Sequence, residues 1–153
     1  MKIISGGQTG ADIAGLKIAK KHGFSTGGYI PKNFKTLTGD KPEYKELYGM
    51  QETITSDYPT RTELNAKESD ATIWFGENRS SYGKLCTFKY IKKYKKPYKD
   101  IDIDNPTSIE DIVKWIKDNK FNTINIAGNS ETSTNNIETR VSEYLDNLFT
   151  KLS

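Results

Sequence analysis

The chain opens on a short apolar stretch, Ile3-Ile4, that runs straight into Gly6-Gly7-Gln8-Thr9-Gly10 and then into a segment with helical spacing. Between residues 11 and 21, Ile13 with Leu16 and Ala14 with Ile18 recur at three- and four-residue steps, while Lys17, Lys20 and Lys21 fall on other faces. His22-Gly23 reads as the helix end: a cation in the last turn and a glycine just beyond it. Strand, glycine loop and helix in this order open a βαβ unit, which commits the chain to parallel strands joined by crossover helices.

The rest of the chain keeps the alternation. Gly27-Gly28-Tyr29-Ile30-Pro31 predicts a second short strand with a sharp exit. Residues 32–56 are polar and aperiodic, a long connection of the kind that is usually functional. Helices are expected over 58–67, from about 85 to 94, after the cap Ser108, and over 135–152; strands over 71–75, 99–103 and 123–127. The prediction is an α/β Rossmann-like fold, a mostly parallel sheet flanked by helices on both faces, in a single domain over 1–153.

Composition narrows the function. A net charge of +3 gives no footprint for nucleic acid, and the basic run Lys89, Lys92, Lys93, Lys95 and Lys96 reads as a solvated helix face. The single cysteine, Cys86, excludes an intrachain disulfide and a cysteine-built zinc site, which fits a reducing cytoplasm (the host's, if the chain is virus-encoded). No apolar run approaches a membrane span. Cys86 has no partnered histidine in view, because the only one, His22, sits at a helix end.

In open parallel sheets ligands lie beyond the carboxyl ends of the strands. The residues leaving those ends are therefore the candidates. The first loop contributes Gly6, Gly7, Gln8, Thr9, Gly10 and Asp12; its glycines would let backbone N–H groups approach a phosphate, helped by the helix N-terminus. Asp12, being anionic, suits a ribose hydroxyl or an amine instead, or simply favours the first turn of the helix. Lys32 leaves the second strand. Ser81, Gly83 and Lys84 follow the central strand, and Gly128, Asn129, Ser130 and Glu131 follow the last one. Arg61 could clamp a phosphate or pair with Asp57 or Glu63 on its own helix, and Tyr29 and Tyr82 could stack on a flat ring. On this reading a charged side chain at Gly7 would empty the site and spare the fold.

Ser5-Gly6-Gly7-Gln8-Thr9-Gly10-Ala11-Asp12 closely resembles the opening of the putative molybdenum carrier family, part of the Rossmann-like SLOG group with the cytokinin-activating lysine-decarboxylase-like proteins and the DNA-processing protein DprA. The likeness continues through 27–32, 58–65 and 69–73, and ends with Asn125-Ile126-Ala127-Gly128-Asn129-Ser130-Glu131. The resemblance implies a phosphate-binding loop built by Gly7, Gln8, Thr9 and Gly10, an Arg61 that faces or supports the pocket, and a homo-oligomer. The chain departs from the family at 83–87, where Lys84 stands in place of an expected threonine and would grip a further phosphate as a point charge. The functional expectation is non-enzymatic binding of a phosphorylated nucleotide- or pterin-like molecule, by resemblance the molybdenum cofactor. Two alternatives stand beside it: a sponge for a cyclic nucleotide or an ADP-ribose derivative, of the sort a phage would use against host defence, and a nucleotide phosphoribohydrolase. The last lacks the glutamate that its signature requires.

Overall fold

The computed structural model describes all 153 residues. β1 (Lys2–Ser5) leads through the glycine loop into α1 (Ala11–Lys21), and β2 (Ser25–Gly27) returns parallel to β1, with Ile3 opposite Thr26. The predicted second strand is two: β2 and, past residue 28, β3 (Tyr29–Ile30). The long connection is not bare loop. It holds a short 3-10 turn at Lys32–Phe34, the hairpin β4 (Lys35–Thr36) and β5 (Gly39–Asp40), α2 (Tyr44–Tyr48) and β6 (Gln51–Glu52), which pairs with β3. Its apolar residues are too scattered to show a period, yet Phe34, Tyr48 and Met50 gather with Ile13, Leu16 and Ile30 into a second small core.

The rest follows the expected order: α3 (Tyr58–Glu68), β7 (Ala71–Gly76), α4 (Tyr82–Lys93), β8 (Tyr98–Asp102), α5 (Ile109–Asn119), β9 (Thr123–Gly128) and α6 (Ile137–Leu152). α4 begins three residues before the expected start at 85, because Ser81 takes the capping place and its Oγ accepts the Lys84 N–H at 3.2 Å. Ser108 caps α5 as its sequence indicated, accepting the Asp111 N–H at 3.2 Å.

The main sheet has five strands in the order β2-β1-β9-β7-β8, all parallel. Successive side chains of a strand face opposite ways, and this divides the sheet cleanly. Ile73 and Phe75 of β7 and Ile124 and Ile126 of β9 face the large core, which α1, α5 and α6 close with Ala14, Ile112, Ile116, Val141, Leu145 and Phe149. Thr72, Trp74, Asn125 and Ala127 face the other way, toward α3 and α4. Parallel strands buried on both faces carry the near-continuous apolar run seen in β7, where every residue is buried.

Gly10 locks the carboxyl ends of β1 and β9 together. Its φ is +88°, and a Cβ there would stand 2.4 Å from the Asn129 carbonyl oxygen, so neither the conformation nor the space admits a side chain. The Ala11 N–H donates to that same carbonyl at 3.1 Å.

Candidate functional site

On the α3/α4 side of the sheet, at the carboxyl ends of β7 and β9, lies a cavity of about 350 Å³. Of the residues singled out in the sequence, Gln8, Asp12, Arg61, Ser81, Tyr82, Gly83, Gly128, Asn129 and Ser130 line it. Gly6 lies behind it, in a recess of about 10 Å³ that Asp12 and Arg61 share. Gly7, Thr9, Gly10, Lys32, Lys84 and Glu131 do not line the cavity.

The first loop is arranged differently from an open anion nest. The Gly7 N–H donates to Ser5 Oγ at 3.2 Å, the Gln8 N–H to Asp12 Oδ2 at 3.3 Å, and the Thr9 N–H to Gln8 Oε1 at 2.9 Å. With the Ala11 N–H on Asn129, these donors already have acceptors inside the protein. Gly7 turns its open side to the second core: a Cβ there would meet Ile30 and Met50 at 2.9 Å. A side chain at Gly7 therefore strikes packing first, contrary to the expectation that it would spare the fold.

The remaining residues have other partners. Lys84 Nζ lies 2.9 Å from Asp100 Oδ2 and over the Phe88 ring, directed at β8. Glu131 accepts N–H groups of Asn136, at 3.2 Å, and Glu138, at 2.6 Å, and so closes the start of α6. Lys32 is exposed on the 3-10 turn. Tyr29 is fixed through its backbone to the Asn65 side chain, away from the cavity.

Arg61 comes from the first turn of α3, which Asp57 caps by accepting the Thr60 N–H at 2.8 Å. Neither Asp57 nor Glu63 takes Arg61 as a partner; Glu63 is held by Lys93 at 2.7 Å and the Tyr94 hydroxyl at 2.6 Å. The guanidinium lies over the Tyr58 ring and donates from Nη1 to Thr62 Oγ1 at 3.1 Å. Nη1 stands 3.8 Å from Asp12 Oδ2. Gly6 makes this approach possible, since a Cβ on it would stand 2.5 Å from Nη1 and 2.8 Å from Oδ2. Burial pushes the Asp12 carboxyl up to about 6, against the opposing pull of Arg61 and the N–H groups of Gln8 and Gly6.

Two cavity-lining residues each carry a buried donor without an acceptor, Arg61 Nε and Trp74 Nε1, both shielded from the open space of the cavity. Trp74 is 3% exposed and packs edge-on against Phe88. One sign of this place is legible in the sequence: Trp74 lies on β7, two residues before Gly76, on the face away from Ile73 and Phe75. Leu37, Tyr58, Thr62, Cys86, Thr87 and Ser133 also line the cavity without having been singled out for it. Cys86 is half-buried, and burial raises its thiol, so it is no ready thiolate. Nowhere in the chain do three or more His, Cys, Asp or Glu side chains gather as a metal site. No helix is long and apolar enough to cross a membrane.

The family assignment agrees with this geometry. The sequence model of the circularly permutated YpsA SLOG family matches residues 3–149. A solved structure from Syntrophus aciditrophicus SB, described as a "Putative molybdenum carrier protein", is 38% identical, covers 97% of this chain and 93% of its own, and superposes with a TM-score of 0.85. No curated protein matches. With one family model spanning nearly its whole length, the chain belongs to the circularly permutated YpsA SLOG family.

Proposed function

We propose that the protein binds a small phosphorylated molecule bearing a flat ring and holds it without turning it over, the role of a molybdenum-cofactor carrier. The observation that carries this reading is one cavity at the carboxyl ends of β7 and β9 whose wall combines the aromatic residues Trp74, Tyr58 and Tyr82 with Arg61 and the start of α4. Aromatic and apolar walls with a few convergent polar groups are the usual make-up of a small-molecule site.

The phosphate belongs at the start of α4 and beside Arg61. Ser81, Tyr82 and Gly83 face the cavity there, and the N-terminal N–H groups of a helix favour an anion. Arg61 is the one basic residue of the lining, opposed by Asp12, which suits a single phosphate better than a chain of them. The residues fit a phosphorylated pterin in this way; any metal would ride on the ligand's own atoms, because Cys86 is the sole thiol in the wall. The non-catalytic reading rests on the raised Cys86 thiol and on His22, whose ring contacts Asp146 at 2.7 Å on the α6 side, away from the cavity.

Native mass spectrometry of protein purified from its own host tests this directly. A retained phosphorylated pterin supports the carrier reading, and an ADP-ribose-like or cyclic-nucleotide mass would make the protein a sequestering one. Calorimetry with GMP, AMP and ADP-ribose, repeated on Arg61→Met, should show binding that the substitution weakens at least about tenfold. Steady release of free base from the nucleotides would overturn the non-catalytic reading.

A further inference from the structure

Asp12 and Arg61 meet in the bare space over Gly6, where a Cβ would stand 2.5 Å from Arg61 Nη1 and 2.8 Å from Asp12 Oδ2. Both residues also line the cavity in which the phosphate is proposed to lie. The arginine is therefore contested. Its guanidinium is the only cationic group of the wall, and a carboxylate already stands 3.8 Å from it. At that distance the two attract without a hydrogen bond, so Asp12 claims Arg61 by charge and not by a fixed contact.

A phosphate beside Arg61 brings a second anion to the same cation. The two negative charges repel each other where little water screens them, because Asp12 is 4% exposed. A unit negative charge about 6 Å away, at an effective dielectric of about 20, shifts a carboxyl by about 2 pH units toward its neutral form. Asp12 starts close to that change, since burial already pushes its carboxyl up to about 6. A guanidinium keeps its proton throughout the ordinary pH range, so the carboxyl is the partner that yields. Around Asp12 in the recess, Thr62 and Asn65 of α3, Thr87 of α4 and Asn125 of β9 carry no charge. On the cavity side the other titratable groups are Tyr58, Tyr82 and Cys86, and burial raises the Cys86 thiol. We infer that Asp12 competes with the ligand's phosphate for Arg61 and yields by taking one proton from solvent, so that the site admits an anion and a proton together. Asp12 thereby sets the site's preference by charge, a repulsive element that a proton removes. The inference rests on the proposed function and deepens it by naming how that site is regulated.

Calorimetry on the full chain with ADP-ribose and AMP tests it. The pyrophosphate of ADP-ribose keeps its charge between pH 6 and pH 8, so a pH effect on its binding belongs to the protein. Its affinity should be at least about fivefold higher at pH 6 than at pH 8. Asp12→Asn should bind it with no such dependence, and about tenfold more tightly than the unaltered protein at pH 8. If that variant fails to fold, or if AMP alone binds, carboxyl-carbon NMR of the unaltered protein decides: saturation with the bound nucleotide should raise the Asp12 titration midpoint by at least about one pH unit. An affinity for ADP-ribose that ignores pH, or an unmoved midpoint, would overturn the inference and leave the proposed function standing. Weaker binding by Asp12→Asn at both pH values would make the carboxylate a direct contact of the ligand and also overturn it. Failure of both nucleotides to bind would remove the proposed function together with the inference.

Discussion

Arg61 Nη1 faces Asp12 Oδ2 across 3.8 Å, while Nε of the same guanidinium, fully buried, meets no acceptor. The pair is therefore an incomplete one. It neutralises charge without the parallel double hydrogen bond that makes arginine–carboxylate contacts strong. An arginine held this way by Tyr58, Thr62 and the space above Gly6 keeps donors for something else.

The coupling of the two charges is measurable. Arg61→Met removes the positive charge that holds the Asp12 carboxyl down, so its titration midpoint should move above its present value of about 6. Carboxyl-carbon NMR through a pH series reads this directly. An unmoved midpoint would show that the two groups do not sense each other.

The same carboxyl makes stability depend on pH with an unusual sign. Its folded value, about 6, lies above its ordinary 3.8, so the folded state holds the proton more tightly than the unfolded chain. The stabilisation is fully present below the unfolded value and is lost as pH rises through the folded one. Between pH 7 and pH 5 this group alone should add about 1 kcal/mol to the unfolding free energy. Denaturant unfolding of the protein and of Asp12→Asn at both pH values gives the difference, and parallel curves would contradict it.

Two glycines of the first loop should fail in different ways. Gly10→Ala forces a side chain into φ +88° and onto a backbone carbonyl 2.4 Å away, which should cost on the order of 2–3 kcal/mol of stability. Gly6→Ala meets instead the far end of the Arg61 side chain, which can move aside. It should cost less stability and more ligand affinity. Paired unfolding and calorimetry data that showed the same profile for both would contradict this division.

Gln8 fastens the β4–β5 hairpin to the first loop. Its Oε1 accepts both the Thr9 and the Leu37 N–H groups at 2.9 Å, and Leu37 is part of the cavity wall. Gln8→Ala should leave both donors to water and speed amide exchange at Thr9 and Leu37 about tenfold or more, for a loss of about 1 kcal/mol per part-buried bond. Exchange rates unchanged at those two amides would rule the fastening out.

Much of this architecture is legible in the amino-acid order. The 3.6-residue spacing in α1, α5 and α6, the apolar run of β7 and the capping serine before α5 report burial and hydrogen bonding that are settled within one element, so local pattern suffices. The strand–glycine–helix opening carried the parallel sheet with it, because parallel neighbours need a crossover. The identity of the loops that meet at the carboxyl ends followed from that topology.

Which side chains in those loops face a ligand was decided only by the tertiary structure. Glycines at 6, 7 and 10 look alike in sequence, yet one lies under Arg61, one against Ile30 and Met50, and one against the Asn129 carbonyl. Lys84, expected from the sequence to grip a phosphate, pairs with Asp100 on the neighbouring strand, and Trp74, which resembles any buried aromatic, lines the cavity. The physical reason is that hydrophobic periodicity records which face of an element is dry. It does not record which distant acceptor reaches a given N–H first, and here those acceptors come from loops far apart in the chain that only the closed sheet brings together.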